Sequence, residues 1–486
     1  MDTPSNQGGA DEQQAHNAAS SAVLDAFIRG YAVLPGQHEF TLPWQRLTLG
    51  RHFCVHAHPK TEILAVTSGP ATLCLVGRAY DLDTGVTTAA CARTALNEFQ
   101  HGGIEAALKY IAYLGGRFAV FIAENDILHA IPDCHATYAI YSFPLNGARA
   151  FCSHWMLASE IAGLAPSAEI AEFMNHPDYV ETGGKYYPAL WTPFANVTCV
   201  FPNCHATFDA AAQNFSHQRF YPFEELPTRS VASAYPEFAD LLTRSVNLAA
   251  TGRVALSLTN GGDSRTVLAA LSRPYADDAF SFTYGRLEAL DEGSRDDLLG
   301  GNAVAFQARI PHRIFDLLKV DYSCDFHKLY SRSFKNGARF PSLARLYFDE
   351  LPHDCTIIIS TVGETGTVFY KKRDKLTPSP LSLAEKFTNS SAKNHSFILD
   401  QFESYIDYLE FFPENIYNFD WHDLFYWEHR NAKWAAAWYA EVDMTGFPIA
   451  PYNCRRLIEV MLSVSKEERE ARTLQRMFVQ EKGLAG

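Results

Sequence analysis

The spacing of apolar and polar positions changes character near the middle of the chain. From Glu39 to about Phe143 the apolar residues fall in short, β-rich runs: Ile63 to Val66, Ala71 to Val76, Phe118 to Ala123 and Ile127 to Ile131. These predict strands, with Glu124-Asn125-Asp126 as a hairpin turn. The spacing also predicts a helix over Gly103 to Tyr113, ending near Gly115-Gly116. This part therefore reads as a layered α+β domain. Beyond Pro227 the pattern is helical over Tyr235 to Ala250, then alternates. Strands are expected at Val254 to Leu258, Ala279 to Gly285, His312 to Leu317 and Thr356 to Ser360. Helices are expected from Asp263 to Leu271 and near Ala303 to Ala308, with Asp291, Asp296 and Asp297 on an acidic loop. Such alternation predicts an α/β layer around a parallel sheet. The last hundred residues read as helical. Leu424, Trp427, Asn431, Trp434 and Trp438 share one stripe there, assigned to the core.

The most informative string is Val254-Ala255-Leu256-Ser257-Leu258-Thr259-Asn260-Gly261-Gly262-Asp263-Ser264-Arg265. An apolar run, a small polar loop and an amphipathic start predict strand, tight turn and helix. Adjacent glycines let backbone N–H groups approach an anion, and the helix start adds unpaired donors and its positive dipole end. Thr259 and Ser264 offer hydroxyls, and Asp263 offers a carboxylate for a divalent cation. The string reads as a phosphate cradle or as a plain glycine turn between strand and helix.

The same string resembles the pyrophosphate loop of the asparagine synthetase superfamily, Ser-Gly-Gly-x-Asp-Ser. Thr259 stands for the first Ser, Asn260 for the first Gly, and Gly261, Asp263 and Ser264 match. The resemblance implies an ATP site in which Thr259, Asn260, Gly261, Gly262, Ser264 and Arg265 grip pyrophosphate. Adenine would lie near Leu256, Ser257, Thr283 and Tyr284. After the strand at Thr356 the family carries an acidic Gly-Glu-Gly loop, and Gly363-Glu364 occupies its place. By the same resemblance Glu364 shares Mg2+ with Asp263. Lys371, with Lys372 and Arg373, either neutralises departing pyrophosphate or forms a solvated patch. A lysine near the family's C-terminus has no match. Arg472 or Arg476 is the substitute, Arg476 being the assigned catalytic cation, although a guanidinium is not interchangeable with an ammonium. Pro451-Tyr452-Asn453-Cys454 resembles the family's Pro-Phe-Leu-Asp segment, with Asn453 in place of the acid.

Gly115-Gly116-Arg117-Phe118-Ala119 and the segment around Asp133 resemble the amidotransferase-type, Ntn-hydrolase-like domain that precedes the synthetase domain in that family. Its active form uses a first-residue cysteine whose free α-amine is the base. Here Met1 is followed by Asp2, and the first cysteine is Cys54. The expectation is a domain without glutaminase chemistry. Glu428 and Arg430, beside the aromatic stripe, are candidates to line an acceptor pocket.

Composition narrows this picture. A net charge of −14 argues against a general nucleic-acid binder. No apolar run reaches the length of a spanning helix, so no membrane partner is expected. The ten cysteines include no Cys-x-x-Cys pair, which suits buried thiols in a reducing, cytoplasmic setting. His52, His56 and His58 are the nearest approach to a metal cluster but lack a carboxylate or thiolate pattern. Three parts are expected: a polar tail over 1–21, a degenerate amidotransferase-like domain with its connecting hairpin over 22–226, and an asparagine-synthetase-like ATP-binding domain with a helical end over 227–486. The expected activity is AMP- and pyrophosphate-forming ligation of a small-molecule or peptide carboxylate to an amine, with ATP and Mg2+, in a specialised biosynthesis. A homodimer is compatible with this. The rivals are a tRNA-modifying sulfur transferase, disfavoured by the acidic balance, and a decayed scaffold or binding protein.

Overall fold

The computed structural model describes residues 26–180, 186–272, 278–319, 321–337, 339–373 and 377–484. The expected tail over 1–21 lies outside them. Three sheets order the chain. The first runs β10(Thr198–Cys199)-β8(Tyr141–Leu145)-β9(Ala148–Cys152)-β1(Tyr31–Pro35)-β3(Phe53–Ala57)-β2(Gln45–Leu49). The second runs β12(Asn214–Arg219)-β11(Cys204–Asp209)-β7(Ile127–Pro132)-β6(Gly115–Glu124)-β5(Ala71–Tyr80)-β4(Ile63–Ser68). The pairings within both are antiparallel.

The two-residue period of β6 explains the layering. Ala119, Phe121 and Ala123 enter the core shared with the first sheet, where Phe121 meets Tyr31 and Phe151. Phe118, Val120 and Ile122 point the other way, into a second core under α1 (Thr88–Ala112). That helix begins well before the expected Gly103. It kinks at Gly102 and Gly103, the latter at φ 67°, and this break mimics a helix start in the sequence.

The third sheet is parallel, in the order β15(His312–Asp316)-β14(Ala279–Gly285)-β13(Val254–Ser257)-β16(Thr356–Ile358)-β17(Phe447–Ile449). Helices α2 (Val231–Ala249), α3 (Gly262–Ala270), α4 (Glu292–Gln307), α5 (Arg455–Leu462) and α6 (Thr473–Glu481) belong to this half. The acidic stretch expected as a loop is the first half of α4. Asp291 caps it by accepting the Ser294 N–H at 2.7 Å, and Asp296 and Asp297 lie within it. Asp291 and Glu292 sit where a helix's positive end favours carboxylates.

The halves are joined by buried charge. Arg117 on β6 makes a bidentate pair with Asp443 at 2.8 and 2.6 Å, both side chains 1% exposed. Arg219 on β12 does the same with Glu428 at 2.7 and 2.8 Å. Glu428 is therefore a structural partner buried between the halves.

Candidate functional site

The parallel sheet reads 3-2-1-4-5 in its own strand order, so its direction of growth reverses between β13 and β16. Ligands of open parallel sheets bind beyond the strand C-termini at such a reversal. Two segments leave the sheet there. β13 leads into the Thr259–Gly262 turn and α3, and β16 leads into a 3-10 turn over Thr361–Gly366.

The first turn is organised by Ser264. Its hydroxyl accepts the Thr259 N–H at 3.1 Å and faces the carbonyls of Thr259 and Gly261 at 3.2 Å each. Thr259 Oγ1 accepts the Gly261 N–H at 3.1 Å. Ser264 is only 3% exposed, so its hydroxyl shapes the loop's own backbone. The cap of α3 is Gly261, at φ −68°, with no side-chain oxygen for the first helical N–H groups. Neither Gly261, Gly262 nor Asn260 adopts a left-handed backbone, so Asn260 introduces no strain in place of glycine. Its N–H donates to Asp297 Oδ1 at 3.0 Å. Its side chain lies against Gly300, where an added Cβ would sit 2.1 Å from Asn260 Oδ1. The adjacent Gly301 lets α4 approach Thr283 and Leu258, where an added Cβ would meet Thr283 Oγ1 at 2.7 Å and the Leu258 carbonyl at 3.3 Å.

Asp263 and Glu364 converge, each from its own turn, on Arg472. Arg472 donates to Asp263 Oδ2 at 2.5 Å, and its guanidinium lies 3.8 Å from Glu364 Oε1. Glu364 Oε2 accepts the Tyr426 hydroxyl at 3.0 Å. Burial raises the Glu364 carboxyl above its ordinary range and the Asp263 charge adds to the rise, while Tyr426 and Arg472 oppose it. Arg472 begins α6 at φ 52°, a left-handed backbone that costs a non-glycine residue energy and is found where side-chain aim matters. Asp263 Oδ1 is buried without a hydrogen-bond partner.

These groups line a cavity of about 370 Å³ with Thr259, Gly261, Gly262, Thr361, Arg430 and Trp434. Thr361 and Trp434 also border a second cavity of about 570 Å³, walled by Tyr284, Phe340, Trp438, Arg286 and Arg339. Trp438 is buried in the core, as its helical spacing predicts, with Trp434 packed partly buried against it, and both also form part of this cavity's wall. The stripe passes through a π-helix at Tyr426–Ala435. A further cavity of about 530 Å³ opens near Lys109 and Glu459. Among its charges, Arg456 pairs with Asp83 and Glu459 accepts from the hydroxyls of Tyr113 and Tyr221.

The other sequence-predicted residues divide cleanly. Leu256 and Thr283 are buried in the sheet, and Thr283 Oγ1 donates to the Leu258 carbonyl at 2.5 Å. Ser257 ends β13, half-buried, and Tyr284 reaches the larger cavity. Gly363 is packed under Tyr452, where a Cβ would meet the ring at 2.9 Å. Arg265 and Arg476 face a neighbouring space of about 460 Å³ beside Asn260 and Gly262. Lys371 is exposed and lines none of these cavities, and Arg373 is taken up by Asp420 and Asp423. Of the two candidate arginines, Arg472 reaches Asp263 and Glu364, and Arg476 faces the neighbouring space. Arg430, named from the sequence as a pocket-lining candidate, lines the smaller cavity, whereas Tyr426 is marked by no sequence signal.

The two-carboxylate set fits Mg2+, which takes one or two protein carboxylates and fills its remaining positions with water and phosphate oxygens. The unpartnered, buried Asp263 Oδ1 is an oxygen of the required kind. Arg472 partly neutralises the same pair.

The Glu364 turn is anchored from the first half of the chain. His135 Nδ1 lies 2.8 Å from Asn453 Oδ1, so the ring proton is assigned to Nδ1. Nε2 then accepts the Thr365 hydroxyl at 3.0 Å, and Asn431 donates to the same oxygen at 3.2 Å. Asn453 donates in turn to Asp133 at 2.9 Å. An acid at 453 would set a second carboxylate against Asp133, which accounts for the amide there. Trp427 stacks on the His135 ring at 5.4 Å.

The histidines of the early strands are dispersed. His52 pairs with Asp126 at 2.6 Å, and His56 packs on Phe40. The ten cysteines are all free thiols, nine of them buried. No helix of the described residues is long and apolar enough to cross a membrane.

No protein-family model matches the chain, and no curated protein matches it. Among solved structures it is similar to glutamine phosphoribosylpyrophosphate (PRPP) amidotransferase from B. subtilis complexed with ADP and GMP, at 11% identity over 76% of this chain and 73% of that one, with a TM-score of 0.24. It is also similar to a structure described as the allosteric regulatory enzyme of purine biosynthesis, at 11% identity over 71% of each chain, with a TM-score of 0.26. At such scores the likeness supports no conclusion about this chain's activity. What the chain itself displays is a pair of antiparallel sheets locked onto a parallel sheet with an acidic, arginine-bridged cavity at its reversal point.

Proposed function

We propose that the chain is an ATP-dependent, AMP-forming amide ligase resembling the asparagine synthetase superfamily. One observation carries this reading. Asp263 and Glu364 lie about a hundred residues apart, follow neighbouring strands at the sheet reversal and meet across Arg472. In this reading a carboxylate attacks the α-phosphate, releasing pyrophosphate, and an amine then displaces AMP from the acyl-adenylate. Asp263 and Glu364 would hold Mg2+, whose contribution is to offset phosphate charge. The open N–H groups at the start of α3 bind the anion, and Arg472 and Arg430 neutralise charge that develops on it. The aromatic cavity takes the base and the acyl group, whose orientation lowers the entropy cost of the reaction.

Arg472 held at 2.5 Å from Asp263 favours a second reading, a nucleotide site closed by its own ion pair and kept as a scaffold. Exchange of labelled pyrophosphate into ATP, driven by pooled carboxylates, tests both. Substrate-dependent exchange that disappears in Asp263→Asn and Glu364→Gln supports the ligase. Failure to bind ATP at millimolar concentration supports the scaffold. Exchange that survives in both variants removes the two carboxylates from the site.

A further inference from the structure

We propose that His176, Asp178 and His395 form a binding site for a divalent transition-metal ion of the Zn2+ class, separate from the nucleotide cavity. Each offers one ligand atom, and the three atoms lie within 4.8 Å of one another. They come from two distant segments. His176 and Asp178 flank the start of the short helix Pro177–Val180, and His395 immediately precedes the helix Ser396–Tyr408. His395 Nε2 stands 3.7 Å from Asp178 Oδ2. Zn–N and Zn–O bonds of about 2.0–2.1 Å place neighbouring tetrahedral ligands roughly 3.3 Å apart. That pair therefore needs a movement of only a few tenths of an ångström. The two imidazoles are already edge to face at 4.8 Å between centroids.

The surroundings suit ligation. Ser391 donates its hydroxyl to Asp178 Oδ2, the kind of outer contact that orients a metal-binding carboxylate. The Asp178 N–H approaches His176 Nδ1 at 3.3 Å, which ties that ring to the same turn. Aromatic packing holds the two segments together independently of any ion: Tyr179 stacks on Phe387 at 5.8 Å and Phe173 meets Phe397 at 5.5 Å. All three residues are half-buried, which leaves an entry path and room for water as a further ligand. Two nitrogens and one oxygen select against Mg2+ and Ca2+, which prefer all-oxygen sites, and in favour of Zn2+, Co2+ or Ni2+. The site is independent of the ligase reading.

The full chain, stripped with chelator and dialysed against Zn2+ with excess Mg2+, is assayed for retained metal by mass spectrometry, and with Co2+ by its visible absorption. The expected result is about one Zn2+ per chain and a Co2+ spectrum of mixed nitrogen and oxygen ligation. Both should weaken at least about tenfold in His395→Ala and in Asp178→Asn, and persist in His52→Ala. Far-UV circular dichroism checks that the variants fold, and Asp178→Asn keeps the test open if His395→Ala does not. No retained Zn2+, displacement by Mg2+, or equal retention in all variants overturns the proposal.

Discussion

His135 Nε2 lies 3.0 Å from Thr365 Oγ1, so a residue of the antiparallel half directly holds the turn that presents Glu364. His135→Ala leaves the buried Thr365 hydroxyl without an acceptor, while Asn453 Oδ1 keeps the residue-135 N–H and Thr365 Oγ1 keeps the Asn431 amide. The expected loss is about 1–3 kcal/mol of stability, from one unsatisfied buried donor. Pyrophosphate exchange should fall more steeply than ATP binding, since only the Glu364 turn loses its anchor. Urea unfolding and exchange kinetics on one preparation check both parts.

Stability should decline as the solution is acidified from neutrality. Burial lowers His135, His154 and His217 to about 3. A histidine held neutral in the fold but ordinary when unfolded contributes stability that is complete above its unfolded value, near 6.5, and lost as pH falls below it. By pH 5 each such group forfeits about 2 kcal/mol. Urea midpoints at pH 7, 6 and 5 should drop progressively, and a flat profile would show these rings to be solvated.

Tyr426→Phe should move the acid limb of pyrophosphate exchange to higher pH. The Tyr426 hydroxyl lowers a Glu364 carboxyl that burial and Asp263 have raised, and Mg2+ needs the ionised form. The pH–rate profile, with Mg2+ saturating, reads the shift directly. An unmoved limb would mean that another group governs it.

Gly300→Ala should disrupt the phosphate turn, because the new methyl would fall within 2.1–2.8 Å of three atoms of the Asn260 side chain. Asn260→Gly removes those atoms. The double variant should therefore recover most of the nucleotide affinity that the single Gly300→Ala loses, a non-additive result expected of residues in direct contact. Isothermal titration with ATP and Mg2+ across the four proteins gives the coupling.

The parts of this site that could be read from sequence are those whose chemistry is local. Val254 to Arg265 carries strand, turn and helix signals within twelve residues, and Gly363-Glu364 follows a recognisable apolar strand. Arg472 and Tyr426 reach the same carboxylates from more than sixty residues downstream of Glu364 or within a π-helix, and neither circumstance leaves a period to detect. Lys371 was assigned by charge alone, and charge does not place a long side chain. The start of α4 was hidden because acidic residues at a helix's first turn resemble a polar loop in composition.

The pairing of Arg117 with Asp443 also governs how the gene could be divided. Parting the antiparallel and parallel halves at residue 227 would strand an ion on each fragment, at about 3–5 kcal/mol apiece for a charge that loses its bidentate buried counterpart. Neither fragment would be a sound unit for expression alone, and chimeras that exchange one half must carry both positions together.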